Sequence, residues 1–384
     1  IVENGYLYDE NYHPGRSAYF LAGLYYIQEP SAMLVADALP IDPDDFVLDM
    51  CAAPGGKSCE IASRLTGEGV LIANDIEASR ARILSENIER FGLDNTIVTN
   101  VDPMRFTKQF QEAFDKIVLD APCSGEGMFR KLEQAIDTWS EEKVLESAHI
   151  QKNLLKGAYE MLKQGGMVIY STCTYSYEEN EAMVHYAVDE LGFELLPLNK
   201  SHGLCPGVDL DEVVRCYPHH YRGEGHFIAL LQKPGNSPRK QVRTIKSQVN
   251  PADLKVLKAF YQENLNKKAP SHIIENNGHL YAIKKNFPEL KGIRVLRNGL
   301  YLGEVRKNRF IPSYSLALTL TKEDVKRSYD YPNDSEEIKK YIHGETLEGT
   351  GEKGFGVIFV DGYPLSFYKE SNQVKNLFPK GLRR

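Results

Sequence analysis

Two cysteines in this sequence stand where a sulfur could react: Cys123, directly after a proline in DAPCSGEG (120–127), and Cys173, fifty positions on, in STCTYS (171–176). A free cysteine is most often a small buried hydrophobe, whereas a thiolate in a polar loop is a nucleophile. Both of these loops are polar, one rich in glycine and the other in threonine. What such thiols could attack depends on what else the fold brings beside them.

From Asp45 to Gln232 short apolar runs alternate with helical patterns, the layout of a Rossmann-like α/β sheet with crossover helices. The expected strands are FVLDM (46–50), VLIAND (70–75), TIVTN (96–100), KIVLDA (116–121), GMVIYS (166–171), FELLPL (193–198) and FIALLQ (227–232). Between them, EASRARILSENIERFG (77–92) reads as a helix, with Ala81, Leu84 and Ile88 at helical spacing and Gly92 at its end. The last strand follows RGEGH rather than a helix, so it is expected to enter as a hairpin strand, giving seven strands with one antiparallel. Ligands of such sheets bind beyond the carboxyl ends of the strands. Asp49, Asp75, Asp102, Asp120 and Cys173 close or follow the first five strands in turn. One acid after a strand is often only a helix cap, but five hydrogen-bonding or reactive side chains in succession outline a site.

The loop after the first strand, CAAPGGKS (51–58), has the small residues and glycines that let a ligand approach a helix N-terminus, and Asp75, 19 positions after Gly56, is placed for ribose hydroxyls. A dinucleotide site would need G-x-G-x-x-G, which is absent. A phosphate loop would need a glycine where Cys51 stands, and Pro54 removes an amide donor from the cradle. S-adenosylmethionine, which carries no phosphate, fits better, with ribose at Asp75, adenine near Asp102 and its aminoacyl end by the glycine loop and Asp120. A methyl donor beside two thiols suggests the acceptor. Carbon 5 of cytosine or uracil is a poor nucleophile until a thiolate adds at C6, and a second group can then assist loss of the C5 proton and release of the thiolate. This chemistry does not order Cys123 and Cys173. Cys51 and Cys59 are read as packing or backbone contacts, and Cys205 and Cys216, near His202, His219, His220 and His226, lack metal-ligand spacing, so no metal is expected.

At 384 residues the chain exceeds the size of a single core, about 250 to 300 residues, so more than one domain is expected. No apolar run approaches the roughly 20 residues of a membrane span, and six sparse cysteines make no disulfide scaffold, which reads as free thiols in a reducing cytoplasm. The net charge of -7 conceals an asymmetry: residues 233–309 hold 17 Lys/Arg against 5 Asp/Glu, the footprint of a phosphate-backbone contact. KPGNSPRK (233–240) has linker composition. Beyond it HLYAI, GLYLGEV and GVIFVDGYPLSFY are strand-like and SEEIKKYI is helical, suggesting a small mixed barrel-like domain.

YYIQEPSAM (25–33), CAAPGGK (51–57), DAPCSGEGMF (120–129), STCTYSYEENE (171–181) and RGEGHFIALL (222–231) together resemble the Nop/Sun-type RNA cytosine-C5 methyltransferases, and within them the bacterial RsmF type acting on ribosomal RNA. The tail VKNLFPKGLRR is similar to the end of those enzymes, whose C-terminal region is PUA-like and RNA-binding. The resemblance implies that Cys173 attacks C6 and Cys123 assists proton removal and elimination. It also implies that Lys57 and Asp120 contact the base, and that Cys51, Ala52, Ala53, Pro54, Gly55, Gly56 and Lys57, with Asp75, Asp102 and Asp120, hold S-adenosylmethionine. The domains expected are 1–24, the remnant of an N-terminal RNA-binding subdomain whose upstream part has been removed; 25–234, catalytic; 235–305, a basic linker and RNA-binding region; and 306–384, PUA-like. RNA is the expected partner, small-subunit rRNA first and tRNA as the alternative, for a monomer with no membrane partner. The reading from another class is an RNA-binding or ribosome assembly factor with little turnover.

Overall fold

A computed structural model of the chain describes every residue except 1, 3, 10, 132 and 384. Three positions of the leading segment 1–24, and the last arginine of VKNLFPKGLRR, therefore lie outside the described residues.

The catalytic sheet contains β1 (Phe46–Asp49), β2 (Val70–Asn74), β3 (Thr96–Thr99), β4 (Phe114–Asp120), β5 (Leu162–Thr172), β6 (Glu194–Leu196), β7 (Val214–Cys216) and β8 (His226–Gln232). Its central order is β3-β2-β1-β4-β5-β8-β6, with β8 antiparallel to both neighbours. All seven expected strands are present, and the one following RGEGH is the antiparallel member. The sheet gains two strands that the sequence did not announce. The three-residue β7 pairs with β8, and a strand from far downstream, β11 below, pairs antiparallel with β3. Neither run is long enough to display a period.

The central strands are apolar throughout because both faces are covered. Phe46 and Leu48 of β1 face a core with Phe106, Phe114, Leu155 and Ala158, while Val47 faces the opposite core with Ile61, Leu71 and Leu84. The helix Ala78–Arg90 buries Ala81, Leu84 and Ile88 as its spacing predicts.

The KPGNSPRK stretch lies against the sheet rather than spanning open solvent. Lys233 Nζ donates to the carbonyls of Tyr159 and Leu162 at 2.9 and 3.0 Å, and Arg239 and Lys240 pair with Asp115 and Glu112 at 2.5 and 2.7 Å. A helix not expected from the sequence, Pro251–Asn264, follows; Asn250 caps it through Ala252 N at 2.9 Å, and Leu257, Phe260 and Tyr261 are its buried face. Next come β9 (Ile273–Asn276), β10 (His279–Ala282), β11 (Val295–Asn298), β12 (Leu300–Arg306) and β13 (Arg309–Pro312). A four-stranded sheet runs β13-β12-β10-β9, so it continues across the expected boundary at residues 305 and 306. A second, β14 (Ser328–Tyr331), β15 (Gly354–Val360), β16 (Tyr363–Glu370) and β17 (Val374–Asn376), contains the GVIFVDGYPLSFY hairpin. That hairpin turns at Asp361 and Gly362, φ 48° and 86°, the left-handed pair of a tight two-residue turn. Phe260, Leu280, Leu302, Phe310, Phe359 and Phe367 share one core, which unites the two sheets. Ala18 and Leu21 pack with Tyr314, Tyr341 and Phe378, so the start of the chain rests on its end.

Candidate active site

All five side chains expected along the sheet edge lie at strand carboxyl ends: Asp49 and Asp120 are the last residues of β1 and β4, Asp75 and Cys173 directly follow β2 and β5, and Asp102 lies just beyond β3. The glycine loop is fastened among them. Ala52 N donates to Asn74 O at 2.7 Å, Ala53 N to Asp75 Oδ2 at 3.3 Å and Ser58 Oγ to Asp49 Oδ2 at 2.7 Å, while Arg80 holds Ala53 O at 2.7 Å. Asp75 Oδ1 accepts from Glu77 N at 2.9 Å, and the exposed Asp102 uses one oxygen to cap Met104 N at 2.9 Å. Burial pushes the carboxyl of Asp49 up to about 7, and its Oδ1 is buried with no partner among the described residues.

This donor set tests the expected cofactor. S-adenosylmethionine offers ribose hydroxyls, an adenine amino group and an ammonium, all hydrogen donors, and three carboxylates around a small-residue loop are acceptors. A phosphate would meet repulsion from the same acids. The residues fit the phosphate-free ligand.

Lys57, on the helix Gly56–Arg64, reaches over the loop to Asp120 Oδ2 at 2.8 Å, and Ser171 Oγ donates to Asp120 Oδ1 at 2.6 Å. Burial alone would discharge both groups. Each instead stabilises the other's charge: Asp120 is held below its usual range and Lys57 above its own.

Cys123 Sγ lies 3.3 Å from Cys173 Sγ. The two loops are joined along their length: Gly127 N donates to Cys173 O at 2.8 Å, Ser124 Oγ meets Thr174 Oγ1 at 2.8 Å, and Glu126 accepts from Thr174 Oγ1 and Tyr175 N at 2.9 and 2.7 Å. The hydrogen bond with Cys173 is the largest influence on Cys123, followed by burial, and together they raise its pKa well above that of an ordinary thiol. At neutral pH Cys123 is a thiol.

Gly127 admits no side chain, because a Cβ there would lie 2.8 Å from Cys173 O and 3.1 Å from Gly225 O. Gly127→Ala must therefore displace the Cys173 loop. Since an error of about 1 Å at a reacting group costs on the order of 100-fold, methyl transfer should fall by about that factor while S-adenosylmethionine affinity, measured by calorimetry, stays unchanged.

The sequence assigned no role to several residues that hold this site. Glu179, fully buried, accepts from Ser124 N at 3.0 Å and Gln151 Nε2 at 2.9 Å. Glu181 and Arg215, also buried, form a two-pronged ion pair, with Arg215 Nε 2.7 Å from Oε1 and Nη2 on Oε2, and Arg215 Nη1 donates to Tyr175 O at 3.0 Å. Glu29 caps the helix Pro30–Asp37 and also accepts from Glu224 N at 3.1 Å, tying QEPSAM to RGEGH. The three glutamates lie in the quoted motifs, but sequence alone does not tell a buried acid from a solvated one, and Arg215 lies outside those motifs. Arg215→Ala strands the buried Glu181 carboxylate, and chemical denaturation should show a loss of about 3–5 kcal/mol.

Among known proteins, residues 36–232 match the family described as 16S rRNA methyltransferase RsmB/F, 259–320 the RsmF rRNA methyltransferase first C-terminal domain, and 329–384 the methyltransferase RsmF PUA domain. Ribosomal RNA small subunit methyltransferase F of Vibrio vulnificus is 35% identical over 98% of this chain and 83% of its own length; that of Aeromonas salmonicida is 32% identical over 98% and 82%. The crystal structure of NSun6 from Pyrococcus horikoshii with SFG, an S-adenosylmethionine analogue, aligns with 58% of this chain and 57% of that one at 34% identity and TM-score 0.53. A methyltransferase homolog protein from the same organism aligns over 58% and 73% at 35% identity and TM-score 0.51.

Proposed function

The chain belongs to the RsmB/F family of 16S rRNA methyltransferases, and from that premise we propose how its own residues carry out the reaction. The enzyme methylates carbon 5 of cytosine in small-subunit rRNA, and its methyl donor is S-adenosylmethionine. The single observation that carries the residue assignment is the pair of sulfurs 3.3 Å apart beside the Lys57–Asp120 ion pair.

Cys173 attacks C6 of the cytosine and Cys123 assists release, the order that the family resemblance implies for two sulfurs 3.3 Å apart. Lys57, whose ammonium feels the charge of Cys173, donates to the base, and Asp120 accepts from it. Electron density pushed onto the base by the new C–S bond makes C5 nucleophilic. When bound, S-adenosylmethionine supplies the electrophilic methyl group; Cys51 to Lys57, Asp75, Asp102 and Asp120 hold it, and Asp49 Oδ1 is a further acceptor facing that loop. Once Cys173 is bonded to carbon, the hydrogen-bond partner that most raises Cys123 is gone. Cys123 then releases its proton to solvent, takes the C5 proton as base, and the C6–S electrons return to Cys173. The cycle ends in the state it began, with one proton on Cys123.

We further propose that residues 25–234 form the catalytic unit, that the region after 235 presents RNA to it, and that the protein works as a cytoplasmic monomer with no membrane partner. Support comes from one chain supplying every acting group, from adjacent thiols that need reducing conditions, and from the absence among the described residues of a helix long and apolar enough to cross a membrane.

The test is transfer from labelled S-adenosylmethionine to small-subunit rRNA lacking 5-methylcytosine, followed by digestion to nucleosides. Label in 5-methylcytidine is expected. Bound cofactor with no label in any RNA would favour an assembly factor instead.

A further inference from the structure

His226 opens β8 and is 7% exposed, with Nδ1 2.9 Å from Ser31 Oγ and 3.3 Å from Glu29 Oε1. The hydrogen bonds around it fix its tautomer. Ser31 has one hydroxyl proton, and both oxygens of Glu29 lie 2.7 and 2.8 Å from Oγ, which already accepts from Gly225 N at 3.2 Å. Burial opposes the ionised form of Glu29, but the Ser31 hydroxyl and the amides of Ser31, Ala32 and Glu224 all donate to its carboxylate. With its proton given to that carboxylate, Ser31 can only accept from the ring. Nδ1 therefore carries the hydrogen, and Nε2 keeps the lone pair. Burial and the Lys57 ammonium push the ring down to about 4, so it is neutral in the cell.

The position of this acceptor is as informative as its state. The antiparallel register of β5 and β8 ends with Thr172 opposite Phe227, next to Cys173 and His226, and a Cβ at Gly127 would meet both Cys173 O at 2.8 Å and Gly225 O at 3.1 Å, so the start of β8 lies beside the Cys173 loop. After burial, Lys57 and Asp120 are the two charges His226 feels most. The imidazole thus borders the place where the reacting base must sit.

We propose that His226 is a specificity-determining residue, whose Nε2 accepts one hydrogen of the cytosine 4-amino group while Asp120 accepts the other. A uracil would turn its O4, an acceptor, toward two acceptors and be refused. Glu29 and Ser31 are the positioning residues that fix the ring and its tautomer. The inference rests on Lys57 and Asp120 holding the base as above.

Two variants separate recognition from structure. In His226→Gln an amide reaches the place of Nε2; in His226→Asn it reaches only Nδ1, so the contact with Ser31 survives and the acceptor is lost. Steady-state methylation of small-subunit rRNA, and the 5-methylcytidine to 5-methyluridine ratio on transcripts with uridine at the methylated position, are the readouts. His226→Asn should lose about tenfold or more in kcat/KM and discriminate less against uridine, with unchanged S-adenosylmethionine affinity, while His226→Gln stays close to the parent. The reverse order, or two variants indistinguishable from the parent, would overturn the proposal. If either His226 variant fails to bind cofactor, Ser31→Ala, which frees the ring without touching the base, must show the same loss of discrimination or the proposal falls. A parent enzyme that makes no 5-methylcytidine would instead sink the assignment of function.

Discussion

Cys173→Ala is expected to lower 5-methylcytosine formation by about 10⁴-fold or more and to leave no covalent protein–RNA complex on a denaturing gel. Unassisted C5 of cytosine does not take up a methyl group, so without the C6 adduct there is no slower route through the same site. Nor does another sulfur replace the missing one. Burial raises the pKa of Cys51, Cys59 and Cys216 above that of an ordinary thiol, and Cys123 is assigned to release rather than attack. Cofactor affinity should persist, because the 51–57 loop is fastened by Asn74, Asp75 and Arg80 rather than by the Cys173 loop. An adduct formed by the variant would transfer the nucleophile's role to Cys123.

How far the sequence reached this site depends on the range of each interaction. Strand ends are local: an apolar run followed by an acid locates Asp49, Asp75 and Asp120 along an edge, and the structure has them there because a parallel sheet aligns its carboxyl termini. The supports of the site are not local. Glu29 and Ser31 meet His226 across 195 residues or more, and no pattern within either segment announces the contact. In YEENE, three glutamates look alike, yet Glu178 is exposed while Glu179 and Glu181 are fully buried, each committed to a different loop. The helix Pro251–Asn264 was legible in its Asn-Pro start and its Leu257, Phe260 and Tyr261 spacing, but the basic composition around it drew the reading toward a linker. That charge also has an internal use. Lys233, Arg239, Lys240, Lys284 and Arg297 pair with Glu112, Asp115, Asp94 and Glu89, so part of the positive excess binds the downstream region to the catalytic sheet.

Cys123→Ala should give the opposite failure: turnover falls by about 10²–10⁴-fold, and a protein–RNA complex accumulates that survives denaturation and carries the transferred methyl label. The asymmetry follows from when each sulfur acts. Attack needs Cys173, with Lys57 and Asp120 on the base, and the substitution removes only the sulfur 3.3 Å from Cys173 while leaving these three side chains in place. Release needs a base close to C5 at the moment Cys173 is tied to carbon, and Cys123 is the group whose proton affinity drops at that moment, because its principal hydrogen-bond partner has been consumed. The double variant Cys123→Ala/Cys173→Ala must then form no complex, since release cannot fail where attack never occurs. Raising the pH should not rescue Cys123→Ala if the thiol itself is the base. Accumulation of the complex in Cys173→Ala but not in Cys123→Ala would reverse the order of the two sulfurs while leaving both in the mechanism.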